Sequence, residues 1–269
     1  MQLLAVLEVA RQSLHTMLRS RLLWLVVPLQ VVAVVIPWLI LENARVPPGG
    51  REAFCLTAFW FHLFLLTPWI GMFYGVQAVH GDIEDRSFQY LFLRPVSRWV
   101  VLLGKWVAAA LMTACLAVFG MAVLMGGMSL MAWDWPSGYP ETELLPMFFA
   151  SAGLAAAAYT SVAVLFGVWF RRPMVWAVFF VVGFEFFVSN LPPKANVRSF
   201  TVADPVRRFL LDWLEPTQKL ARQLWPSQRN FDPEQLGAPL ANLAQIVLFN
   251  LLLAVWIYSR TEYDSRVRD

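Results

Sequence analysis

Apolar residues in this chain come in long runs separated by short polar stretches, and six such runs can be drawn. A run of 18 or more apolar residues, at 1.5 Å per residue, crosses a hydrocarbon core of ~30 Å. The pattern predicts six transmembrane helices. They are span 1 over Leu22–Leu41, span 2 over Phe54–Val79, span 3 over Trp99–Met131, span 4 over Leu145–Phe170, span 5 over Met174–Leu191 and span 6 over Leu240–Tyr258. Pro28 and Pro37 predict kinks in span 1 and Pro68 an interruption of span 2, because proline withholds a backbone donor. The fold class expected is all-α, a polytopic membrane protein with residues 1–269 as one transmembrane domain. The first run starts only near Leu22 and has no small-residue cleavage motif after it, so it reads as a retained span.

Two segments outside the runs have a different pattern. In residues 1–19, Leu3, Leu7, Ala10, Leu14 and Met17 recur at helical spacing, with Glu8, Arg11, Gln12, His15 and Arg19 on the other face. That is an amphipathic helix suited to the membrane interface. In residues 192–239, Phe209, Leu210, Trp213, Leu214, Leu220, Leu224 and Trp225 interleave with Arg207, Arg208, Asp212, Lys219 and Arg222. This predicts short amphipathic helices broken at Pro216 and Pro226.

Composition agrees. Hydrophobic residues make up 59% and charged residues 14%, against about 45–50% and about 25% in soluble domains, and mean hydropathy is +0.57. Tryptophans cluster near run ends, at Trp24, Trp38, Trp69, Trp99, Trp133 and Trp135, where the headgroup level favours them. A net charge of +3, scattered between runs, gives no footprint for nucleic acid. Cys55 and Cys115 fall in or at apolar runs and read as packing residues.

The basic residues set the orientation. Twelve basic residues fall on the side of the termini (Arg11, Arg19, Arg21, Arg86, Arg94, Arg98, Lys105, Arg171, Arg172, Arg260, Arg266 and Arg268) against nine on the other, seven of them in the long 192–239 segment. The short loops decide: that at 132–144 has none. Both termini are expected in the cytoplasm of a multi-pass protein of the cell (inner) membrane, with 192–239 outside.

The most informative stretch lies between spans 2 and 3. It reads His80-Gly81-Asp82-Ile83-Glu84-Asp85-Arg86-Ser87-Phe88-Gln89-Tyr90-Leu91-Phe92-Leu93-Arg94-Pro95-Val96-Ser97-Arg98, followed by Gly104-Lys105. Asp82, Glu84 and Asp85 suit the start of a helix. Ser87–Leu93 would continue it, and Arg94-Pro95 would end it. The expectation is a compact cytoplasmic helix with charges at both ends.

This run resembles the corresponding loop in permease subunits of ATP-binding-cassette transporters of the type 2 exporter class. There, acids precede a Gly-Thr and an apolar stretch, followed by Pro-(Val/Ile/Leu)-Ser-Arg and a Gly-Lys. Asp82, Glu84 and Asp85 match the acids, Ser87 stands for the Thr, and Pro95-Val96-Ser97-Arg98 and Gly104-Lys105 match fully. Arg86 departs from the usual Gly. The order of elements along nearly the whole chain fits as well.

The resemblance implies a pair of permeases, each docked on a cytosolic ABC ATPase, the second permease being another copy or a paralogue. Residues 80–98 would be the coupling helix, with Asp82, Glu84, Asp85, Arg86, Ser87, Arg94, Pro95, Ser97 and Arg98 as the ATPase-coupling residues. Spans 1, 2 and 5 would border the substrate path. No cofactor would bind this chain directly. ATP and Mg would sit on the partner, since Gly104-Lys105 lacks a phosphate-binding loop: Trp99 stands where its first Gly belongs and Trp106 where its Ser or Thr belongs.

Glu185 is the one carboxylate well inside an apolar run, and such a group is costly there. It either lines the translocation path or a gate, or it sits near the outer interface or is hydrogen-bonded to a neighbouring helix. His62 and Cys55 lack the companions a metal site requires, and Met121, Met125, Met128 and Met131 read as packing. Gly71 and Gly75 form a small-xxx-small pair for close helix contact. Two rival classes are a membrane-embedded enzyme, for which no catalytic pairing stands in any span, and a non-transporting mechanotransmission subunit acting on an extracytoplasmic partner through 192–239. No residue pattern selects a substrate.

Overall fold

A computed structural model describes residues 2–37, 39, 50–84, 97–130, 141–191, 198, 200–214, 224 and 237–260. Among these, 93% are helical and none is in a strand, which makes the protein an all-α polytopic membrane protein. Helix α1 is Gln2–Leu18 and α2 is Arg21–Val32. Helix α3 is continuous through the segments Gly50–Thr57, Ala58–Leu66 and Thr67–Glu84. Helices α4, Arg98–Leu130, and α5, Glu141–Trp169, follow. Helix α6 runs Pro173–Val188, α7 is Ala203–Leu214 and α8 is Gly237–Arg260.

Four of these are long and apolar enough to cross a membrane: Gly50–Gly81 of α3, α4, Leu144–Trp169 of α5, and α8. Helix α1 and the stretch 21–37 pass that test only as a pair, bent by 70°. Helix α6 is a shorter apolar helix. Of the six expected spans, the second, third, fourth and sixth therefore coincide with helices of spanning length. The expected kink in the first span appears as a turn at Ala33–Val34 after Pro28.

Pro68 does not interrupt α3. The helix widens ahead of it into a π-helical stretch, Ala58–Leu66, and the Thr67 N–H and hydroxyl both donate to the His62 carbonyl. A wider turn draws the preceding carbonyls away from the proline ring, with which an α-helical turn would clash. A second π-helical stretch, Phe179–Glu185, lies within α6. The Phe64 ring of the first lies 5.8 Å from the ring of Phe186, the residue that follows the second.

Helix α5 is the hub, in contact with α3, α4, α6, α7 and α8. Its most apolar 18 residues are 72% buried, against 17% for α8. Ala152, Ala155, Ala156, Ala158 and Ala163 are all buried and let neighbours come close. The Gly71–Gly75 pair works as expected. A Cβ at Gly75 would lie 2.5 Å from the Ala163 Cβ and 3.0 Å from the Thr160 carbonyl oxygen, so α3 and α5 touch backbone to backbone. Met121, Met125 and Met128 pack in one buried apolar cluster with Phe54, Phe59 and Phe148. Apolar side chains left exposed, such as Trp24, Phe187 and Leu252, carry no cost against hydrocarbon.

Candidate functional site

The expected ATPase-coupling residues divide between described and undescribed parts of the chain. Asp85, Arg86, Ser87, Arg94 and Pro95 lie outside the described residues. Asp82 and Glu84 are described as backbone, and here the expectation needs correcting. They do not open a helix; they occupy the last turn of α3, which continues beyond the apolar run to Glu84. Backbone hydrogen bonding carried the helix past the point where its hydrophobic pattern stops. Negative charge at a helix C-terminus opposes the macrodipole.

The other side of the segment is fully described. Ser97 precedes α4, and its carbonyl accepts from the Val100 and Val101 N–H groups at 3.0 and 3.4 Å. Arg98 turns toward α8, where Nη1 donates to the Ser259 carbonyl at 3.0 Å and the Tyr258 carbonyl at 3.4 Å. Carbonyls in the final turn of a helix lack intrahelical donors, and a cation there also complements the dipole. Arg260 adds a second charge at this end, 4.9 Å above the Trp256 ring.

Gly104 and Lys105 also have structural duties. A Cβ at Gly104 would lie 2.8 Å from Val9 Cβ and 2.9 Å from the Val6 carbonyl oxygen, so this glycine seats α1 directly on α4. Lys105 is buried, and its Nζ donates to the Ala78 carbonyl of α3 at 2.6 Å. Arg98, Gly104 and Lys105 thus join α8, α1 and α3 to one end of α4, beside the segment 80–98.

A second polar assembly forms near the opposite end of α3, around Glu185. Its carboxylate is buried; Oε1 accepts the Val202 N–H at 2.6 Å, and Oε2 accepts the Ala203 N–H at 3.1 Å and the Tyr159 hydroxyl at 3.3 Å. Those two N–H groups stand just before and at the first residue of α7, and the Glu185 carboxyl group of α6 satisfies them. Asp204 then takes Arg198 Nη2 at 2.6 Å and Arg208 Nε at 2.9 Å. The Thr201 hydroxyl donates to the Arg198 carbonyl at 2.7 Å and receives the Asp204 N–H at 3.3 Å. Arg207 is fully buried over the rings of Phe59, Phe64 and Trp60, at 5.4, 5.4 and 5.9 Å. Burial, opposed by neighbouring Asp204, brings its guanidinium down to about 10, so it is still a cation at neutral pH.

Of this assembly the sequence singled out Glu185 alone. Arg207 and Arg208 were expected as polar residues of short amphipathic helices, and Tyr159, Arg198, Thr201 and Asp204 carry no motif that marks them. One signal was available: Thr201-Val202-Ala203-Asp204 has the spacing of a capping box at a helix start. Among the described residues no three His, Cys, Asp or Glu side chains group as metal ligands.

An all-helical bundle with several bilayer-length apolar helices, and structural ties concentrated beside one interhelical segment, defines a multi-pass membrane subunit. The family model described as "ABC-2 family transporter protein" matches residues 7–260, and the chain belongs to that family. Members are transmembrane permeases of ABC transporters, generally non-enzymatic membrane subunits. No curated protein matches the chain.

Proposed function

We propose that the chain is the permease subunit of an ATP-driven exporter-class transporter and is powered by a separate cytosolic ATPase docked on residues 80–98. The observation that carries this reading is the match of residues 7–260 to the ABC-2 transporter family. The ties at Arg98 and Lys105 support the same reading, since they anchor the segment's flanks to the bundle. Arg86, Ser87, Arg94, Pro95 and Ser97 complete the proposed docking set, with ATP and Mg on the partner. Two copies, or this chain and a paralogue, would enclose the path in the cell (inner) membrane, with both termini cytoplasmic and α1 along the interface.

In this reading Glu185 fastens the start of α7 to α6. That same fastening is what favours a second reading, a mechanotransmission subunit whose α7 region pushes on an extracytoplasmic partner. Tagged protein purified from native membranes tests the docking. A cassette ATPase is expected to accompany it, and to be lost on Glu84→Lys. Recovery of the intact chain with no ATPase would refute the proposal. Transport assayed in vesicles of the purified complex then divides the two readings.

A further inference from the structure

We infer that α8 is a rod linking the segment 80–98 to α7, and that Arg98 is the positioning residue that engages it. The inference rests on the reading that 80–98 docks an ATPase, and it assigns a route by which a displacement there reaches the opposite end of the bundle.

Three observations carry it. The Arg98 guanidinium holds the Tyr258 and Ser259 carbonyls, so the start of α4 and the end of α8 are joined by charge-assisted hydrogen bonds. Helix α8 is one unbroken helix of 24 residues, about 36 Å long at 1.5 Å per residue, and its only proline is Pro239 in the first turn, where the ring is tolerated. Finally, α8 packs along one stripe, with Leu243, Leu251, Ala254 and Tyr258 buried, while little of its most apolar stretch is buried overall. Ala254 and Tyr258 join the buried cluster that contains Leu102, Ala108 and Val168. Leu243, toward the other end, joins the cluster that contains Val202 and Val206 of the α7 region. A stiff, unbroken helix packed along one stripe moves as one body and carries a tilting displacement from end to end, because packed contacts shift as blocks.

At the receiving end α7 cannot absorb the motion by fraying. Its start is held by Glu185, and Asp204 is locked between Arg198 and Arg208. A push on Leu243 therefore moves α7 with its anchors, and the power of nucleotide closure enters the far end of the protein through α8 as well as through α3.

The experiment uses the complex with its co-purifying ATPase in lipid nanodiscs, with Cys115→Ser and Trp213→Cys giving an environment-sensitive dye on α7. Vanadate trapping with ATP is expected to change the dye signal in this parent protein. In complexes that retain the ATPase, Arg98→Met should abolish the change, and Arg98→Lys should restore it, since an ammonium still reaches the carbonyls. Leu243→Ala, outside the docking segment, should also weaken it. A full response in either Arg98→Met or Leu243→Ala overturns the rod. So does a silent dye in a parent complex that hydrolyses ATP, with the docking reading intact. Loss of the ATPase from Arg98→Met assigns that residue to docking and overturns its role here. Failure of the unsubstituted chain to bring down any ATPase defeats the docking reading, and this inference with it.

Discussion

Removing the Glu185 carboxylate should loosen α7 before it unfolds anything else. Glu185→Ala strips the acceptor from the Val202 and Ala203 N–H groups and from the Tyr159 hydroxyl. A hydrogen bond to a charged group contributes about 1.5–3 kcal/mol, and the two backbone bonds at 2.6 and 3.1 Å carry most of it. Set against that is the cost of burying the carboxylate, which the alanine variant no longer bears. The net loss is about 3 kcal/mol, which at 1.4 kcal/mol per decade raises the local opening constant roughly a hundredfold. Glu185→Gln keeps one acceptor oxygen for Val202 and should cost about 1–2 kcal/mol, roughly tenfold. Hydrogen exchange followed by mass spectrometry on protein in nanodiscs reads this directly, through the amides of 203–214 with those of α5 as the internal reference. Unchanged protection of 203–214 in Glu185→Ala would refute the anchoring role. So would an equal rise in α5, which would mean global rather than local opening.

Other substitutions test other joints. Gly75→Val drives side-chain atoms into Ala163 and the Thr160 carbonyl and should cost about 3 kcal/mol or more in thermal unfolding, whereas Gly153→Ala, with open space around it, should leave the midpoint where it was. Asp204→Ala removes the carboxylate shared by Arg198 and Arg208. Breaking such a buried pairing costs about 3–5 kcal/mol, to be read as a fall in the detergent unfolding midpoint. Gly104→Leu should unseat α1 from α4 and speed tryptic cleavage after Arg11 and Arg19, while cleavage elsewhere in the chain keeps its rate.

The bilayer explains why so much of the architecture was legible. Hydrocarbon demands apolar runs of a fixed length, so Trp99–Met131 anticipated α4 and Leu240–Tyr258 fell within α8. The π-helical stretches were not legible, because an apolar run reads the same at either pitch. Pro68 looked like a break because local sequence does not disclose that the turns before it widen. The acids at 82 and 84 were assigned to the wrong helix end for a related reason: apolar periodicity ends where lipid ends, and the helix continues on backbone hydrogen bonds alone. The Glu185 assembly was half visible. A carboxylate inside an apolar run announces a partner, but the partners were amides at the start of α7, 17 and 18 residues on, and tertiary packing alone buries Arg207 among the rings of α3.

The central claim is that 80–98 is where a cytosolic ATPase engages this permease. Photo-crosslinking from position 89, at the middle of that segment, interrogates the contact in intact cells. An adduct with a cassette ATPase is expected, and it should disappear when Glu84→Lys is introduced. Adducts with lipid alone, or none, from a protein correctly inserted in the membrane would contradict it.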